Sequence, residues 1–150
     1  MPAVPQFGVR LSDRVYVDRP AAFGIASHDG LIAIVRVAPE GFVPWIDLPG
    51  GGIDPGEGAV EAVVREFGEE TGLRIAAGDL LGQADQFFVD TAGRSFNNRQ
   101  TLFAVTVEAE APALKVEHDH TLVWIEPHEA VARLRHESHA WAVTAWLRRK

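Results

Sequence analysis

Two short apolar runs, residues 22–26 and 31–37, are separated by His28, Asp29 and Gly30. Runs of this length around an Asp-Gly pair predict the two strands of a hairpin, with His28 in its turn. Residues 15–17 form a shorter run that can pair as a strand, and residues 1–12, with two prolines and little periodicity, predict a loose lead-in or an edge segment. After a loop over 38–44 that carries Pro39, Gly41 and Pro44, residues 45–48 read as a short strand, broken sharply by Pro49 and three glycines. The period then changes. From about Glu57 the chain lacks proline and is rich in Ala, Val and Glu, which predicts a helix. At about 100° per residue, Val60, Val63, Val64 and Phe67 share one stripe, the face expected to be buried. Gly72 is its stop signal.

Beyond that helix the chain turns extended again. Residues 80–89 and 100–107 predict antiparallel strands on either side of a polar connection, 90–99, in which Asn97 and Asn98 read as turn residues. Residues 107–114 are acidic and loop-like, and residues 122–125 form a last short strand. Pro127 opens a helix to about residue 135 with Val131 and Leu134 inside. Val143, Trp146 and Leu147 give the inner face of a final helix from about Ser138. Its basic end, Arg148, Arg149 and Lys150, complements the helix dipole. Strands arranged around one central helix, with further helices at the C-terminal end, predict a layered α/β domain. A length of 150 residues fills one such domain and is too short for two.

Charge changes the picture most between residues 51 and 73. Six acidic side chains (Asp54, Glu57, Glu61, Glu66, Glu69 and Glu70) and one basic one, Arg65, give this stretch a net charge of −5, in a chain whose formal net charge is −7. Like charges at this density repel each other. A surface helix normally follows Glu with Lys one turn later, and this helix has no Lys. Glu66, Glu69 and Glu70 stand at i, i+3 and i+4 and so share one face, beside Arg65. A divalent cation with carboxylate ligands is the neutralising partner that this arrangement suits. The glycines before the helix let backbone approach a ligand closely, and their carbonyls can add neutral oxygen ligands.

In this spacing, Gly51, Glu57, Arg65, Glu66, Phe67, Glu69, Glu70, Gly72 and Leu73 resemble the signature of the Nudix hydrolase family, G-x5-E-x7-R-E-U-x-E-E-x-G-U with U a bulky apolar residue. All nine fixed positions are filled without a gap; Phe67 is aromatic where an aliphatic residue is commoner. Gly68 occupies a free position, although a mid-helix Gly costs about 1 kcal/mol relative to Ala. The apolar strand with Trp124 after an acidic loop also resembles the family's usual ending. The resemblance implies a Nudix-like α/β/α sandwich with a mixed sheet, a single domain over 1–150 whose box forms a strand–loop–helix. It implies Mg²⁺ or Mn²⁺ as cofactor, with Glu66 and Glu70 as ligands and Glu69 close behind. The carbonyl of Gly50 or Gly51 would join them, and Arg65 would orient Glu66. The general base stays open between Glu66 and a late-loop acid, Glu117 or Asp119. The reaction implied is hydrolysis of a nucleoside diphosphate linked to another group.

Substrate choice lies outside the box. Phe88 stands where ADP-ribose-cleaving members carry a proline. The tyrosine of dinucleoside-polyphosphate members is missing too, since Tyr16 is the one Tyr in the chain. Nucleoside triphosphates are the substrates favoured by that elimination. Phe88 is a candidate to stack on a base, and Arg99 to meet a phosphate. The chain has no cysteine, which excludes disulfides, thiolate metal sites, a Cys nucleophile and the family's cysteine-dependent isomerases. No apolar run approaches a membrane span and no signal-peptide pattern opens the sequence, so a cytoplasmic setting without membrane partners is expected. The acidic balance argues against long nucleic acid as a partner but allows a small nucleotide; a homodimer is left open. Two further readings stand beside hydrolysis. One is a catalytically silent, nucleotide-sensing or partner-binding module of the same fold. The other is a zinc site from His118 and His120 with Asp119.

Overall fold

The computed structural model describes residues 3–149, and its first long strand alternates by size. Along β2 (Val17–His28), Phe23 and Ile25 point to one side, while Ala22, Gly24 and Ala26 point to the other. The small side lets α1 (Ala59–Thr71) approach closely: a Cβ on Gly24 would lie 2.8 Å from Val105 and 3.0 Å from Phe67. On the large side, Phe23 and Ile25 pack with Ala130 of α2 (Pro127–Arg133) and with Ala142, Val143 and Trp146 of α3 (Glu137–Arg148). A sheet buried on both faces reads as a continuous apolar run, which is why residues 22–26 show no polar alternation.

The hairpin forms as expected, with β3 (Leu31–Val37) following a turn in which Asp29 and Gly30 take φ of 52° and 78°. His28 is the last residue of β2, opposite Leu31, rather than within the turn. The arms stay paired only over Ser27–His28. Then β2 runs parallel to β7 (Ser95–Glu110), and β3 pairs with β4 (Trp45–Asp47) and with β8 (His120–Ile125). On the far side of β7 come β6 (Leu73–Val89) and β1 (Gln6–Phe7). The result is a mixed, curled sheet with α1 on one face and α2 and α3 on the other.

Several elements differ from expectation. The glycine run does not simply break the chain: Gly50–Gly52 is itself a strand, β5, antiparallel to β2. Residues 97 and 98 are not a turn. β6 and β7 extend to Val89 and from Ser95, and Asp90 caps the short connection by accepting from the amides of Ala92 and Arg94. Asn97 and Asn98 are tolerated in a buried strand because their amides are paired, Asn97 with Gln6 and Asn98 with Arg19. β7 also runs on to Glu110, into the segment expected to be loop, before a 3-10 turn at Pro112–Leu114. Val15 and Tyr16 precede β2 instead of forming a strand of their own. The lead-in is an edge, with β1 parallel to β6; Met1, Pro2 and Lys150 lie outside the described residues. The basic end is tied down by Arg149, which donates to Asp79 at 2.7 Å. Among the described residues, no helix is long and apolar enough to cross a membrane.

Candidate functional site

Glu57 does not open the helix as its sequence position suggests. It sits just before α1 and accepts from the amide of Asp54 at 3.0 Å. Arg65, eight residues on, reaches back to grip it with two parallel bonds of 2.8 and 2.9 Å. The same guanidinium donates to Gly52 O at 3.1 Å, to Glu66 at 3.0 Å and to Glu69 at 3.2 Å. Arg65 is therefore the hub that fixes the loop, β5 and two helix carboxylates relative to one another. Its hydrogen bonds hold the Glu57 carboxyl down at about 2, and the carboxylates raise the pKa of Arg65 in turn.

Beside this hub lies a cleft of about 270 Å³. Its acidic wall consists of Asp47 at the end of β4, Glu66 and Glu70 on α1, and Glu117 from the loop before β8. Gly50 and Gly51 line it with backbone. Glu66 presses so closely on Gly51 that a Cβ there would lie 2.8 Å from its carboxyl carbon. Glu70 is 7% exposed; one oxygen accepts from the Gly50 amide at 3.0 Å and the other lies 3.3 Å from His120 Nε2. Burial pushes the Glu70 carboxyl well above the usual carboxylate range, and Glu66, Asp47 and Glu117 add to the shift. Glu66 and Asp47 are raised by burial too, Asp47 against the opposing pull of Arg135. Glu117 reaches the cleft because Glu69 O, at the end of α1, accepts the amides of both Val116 and Glu117, at 2.9 and 3.0 Å.

The opposite wall is cationic and aromatic. Arg19 of β2 has no carboxylate partner among the described residues; it donates to Asn98 at 3.2 Å and lies 5.7 Å from the Phe96 ring. Burial draws its pKa below the ordinary value, opposed by the charge of Glu66. Phe88 lines the cleft beside His136, ring centroids 5.4 Å apart, and His139 lies behind them. Burial drives His136 down to about 3.

The structure thus gathers Glu66, Glu70, Gly50, Gly51, Glu117 and Phe88 around one cleft. Arg65 stands behind it as a clamp. Glu69 does not line it: its carboxylate turns to Arg65, at the rim of a separate apolar depression beside Gly68 and Leu114. The expectation for Arg99 needs correction. Adjacent strand residues face opposite ways, so Arg99 points away from Asn98, and Asp85 at 2.8 Å and Asp18 at 3.1 Å hold it. The proposed histidine pair also separates. Glu117, Asp119 and His120 cluster within 4.8 Å, whereas His118 is exposed and outside the group. Sequence reading missed Arg19, Asp47, Asn98, His136 and His139. The available signals were an Arg-Pro step at the entry to an apolar strand, a lone acid before the glycines, and histidines spaced i, i+3.

A family model described as the NUDIX domain matches residues 18–147. The chain belongs to the NUDIX domain family. An RNA pyrophosphohydrolase from Bradyrhizobium is 33% identical over 123 residues, covering 69% of this chain and 71% of that protein. A putative 8-oxo-dGTP diphosphatase from Bacillus subtilis is 58% identical over 40 residues, 27% of each chain. Of four curated relatives, including that one, the chain spans only 27% to 42% of the length. Among solved structures, a NUDIX hydrolase from Nitrosomonas europaea superposes with a TM-score of 0.74 at 20% identity, covering 89% of this chain and 90% of that one. At that identity the likeness establishes the fold, and the sheet with helices on both faces is the Nudix one.

Proposed function

We propose that this Nudix chain is a divalent-metal-dependent pyrophosphohydrolase that cleaves a nucleoside diphosphate linked to another group, with nucleoside triphosphates as the favoured substrates. The observation that carries the reading is one cleft with Glu66, Glu70 and Glu117 on one wall and, on the other, Arg19, which has no carboxylate partner among the described residues. The name of the Bacillus relative, which specifies a nucleoside triphosphate, supports the substrate preference.

The acidic wall fits Mg²⁺ or Mn²⁺. Its donors are hard oxygens, and Glu70 is buried with no Lys or Arg ion pair among the described residues, a costly state that a cation relieves. Glu66, Glu70 and the backbone of Gly50 or Gly51 would hold the ion. Bound there, it would neutralise phosphate charge and make a water more acidic. The chain's own groups do the rest. Arg19 binds and orients the phosphate, and Phe88 offers a face to the base. Arg65 holds Glu66 in place. Of the candidate bases, Glu117 suits proton removal best: among the described residues its carboxylate accepts no hydrogen bond, whereas that of Glu66 is engaged by Arg65. Water then attacks phosphorus, a P–O bond forms, and the bond to the bridging oxygen breaks as that oxygen departs with its electron pair.

The test is a panel of nucleoside triphosphates, sugar nucleotides and dinucleotides incubated with Mg²⁺ or with excess chelator. Release of nucleoside monophosphate or pyrophosphate only with metal is expected. No turnover of any member would return the chain to the silent-sensor reading.

A further inference from the structure

Between β4 and β5 the chain has a two-residue link, Leu48 and Pro49, and Pro49 carries no N–H. Leu48 N–H donates to His139 Nδ1 at 3.2 Å, and Pro49 O accepts from the amide of Gly24 at 3.1 Å. The next amide, Gly50 N–H, is the one that donates to Glu70. Gly50 itself has no slack. Its φ is 148°, and a Cβ would lie 2.2 Å from Ala22 O and 2.6 Å from Phe23 Cα. A displacement of the link therefore passes directly into the bond to Glu70.

His139 is suited to prevent that displacement. It projects from α3, is fully buried, and packs 4.5 Å from the Phe23 ring, centroid to centroid. Because its Nδ1 accepts from Leu48, its proton resides on Nε2, which donates to Gln100 Oε1 at 3.1 Å. Gln100 is oriented in turn by donating from its Nε2 to Ala84 O at 3.3 Å. Burial, with His136 and Arg135 nearby, holds the His139 pKa well below the ordinary value, so the ring stays neutral. A protonated ring would oppose Leu48 donor to donor.

We propose that His139 is a positioning residue: it ties α3 to the Leu48–Pro49 link and so places the Gly50 backbone against Glu70. The consequence for turnover rests on the hydrolase reading above; the placement itself does not.

Two variants each keep one half of the ring's hydrogen bonding. In His139→Asn the side-chain oxygen falls near the place of Nδ1 and can still accept from Leu48. In His139→Gln the terminal amide falls near Nε2 and can still reach Gln100. Both leave space in the core and should lower the melting temperature alike, so a purely structural role would not separate them. Hydrogen exchange of the Leu48 and Gly50 amides, read without metal or substrate, should stay slow in the Asn variant and become fast in the Gln variant. With substrate, kcat should fall by up to about 10²-fold in His139→Gln with little change in KM, and recover in His139→Asn. Equal protection of the two amides in both variants would overturn the proposal, as would equal losses of kcat. If the wild-type chain turns over no substrate, the proposed function fails, and the exchange pattern alone upholds or overturns the role of His139.

Discussion

A methyl group on Gly52 would lie 2.7 Å from Arg19 Nη2, so this guanidinium rests directly on the glycine strand, with Glu66 across the cleft. The cation is held by a neutral amide and an aromatic ring, which leaves its charge available to a phosphate. Arg19→Ala should therefore reduce kcat/KM by roughly 10- to 10²-fold, the scale of a lost charge-assisted hydrogen bond, and leave the fold intact. Arg19→Lys should recover only part, because an ammonium lacks the planar fork. Steady-state kinetics with the best substrate checks both; an unchanged rate in Arg19→Ala would remove Arg19 from the site. The box residues were legible in the sequence because their chemistry recurs at fixed local spacing. Arg19, Asn98 and His136 were not, because three distant segments bring them to one cleft and no short-range period links them. Arg99 misled for a related reason: side-chain type was readable, but which face of β7 it occupies depends on where the strand begins.

On α1 the apolar stripe is rotated from the predicted one. Ala62, Val63 and Phe67 are buried, whereas Val60 is 52% exposed. Phe67→Ala should cost about 3–5 kcal/mol, the usual range for emptying a packed aromatic site. Val60→Ala should fall within about 0.5 kcal/mol of wild type. Urea unfolding of both variants checks the orientation; a large loss at Val60 with none at Phe67 would mean the helix is turned the other way. Gly68, which sequence alone did not explain, is where Leu114 closes on the helix, 3.2 Å from a would-be Cβ. The helix, the hairpin and the last strand were readable because each is specified by local pattern. The parallel pairing of β2 with β7 and the glycine strand were not, since partners far apart in sequence define them.

Across the whole molecule, helices cover both faces of the sheet, and the cleft opens beside a buried histidine pair that makes stability depend on pH. The folded-state pKa of His136 is about 3, against an ordinary 6.5. Its contribution is therefore complete above about 6.5 and is lost as pH falls toward 3, because the unfolded chain takes up the proton first. Within that window the loss is about 1.4 kcal/mol per pH unit. Glu70, Glu66 and Asp47, with raised pKa values, act in the opposite sense, and His139 acts with His136. Comparing His136→Phe with wild type isolates the one group: the variant should gain on wild type between pH 6.5 and 5, and a constant difference would contradict the assignment. The central claim is that the acidic cleft performs metal-dependent hydrolysis, and Glu70→Gln tests it most directly. Glutamine can still accept from the Gly50 amide while removing a charge that burial disfavours, so the fold should persist. The measurement is turnover of the best substrate at saturating Mg²⁺ by folded Glu70→Gln against wild type. The account predicts a loss of roughly 10²-fold or more; turnover equal to wild type would contradict it.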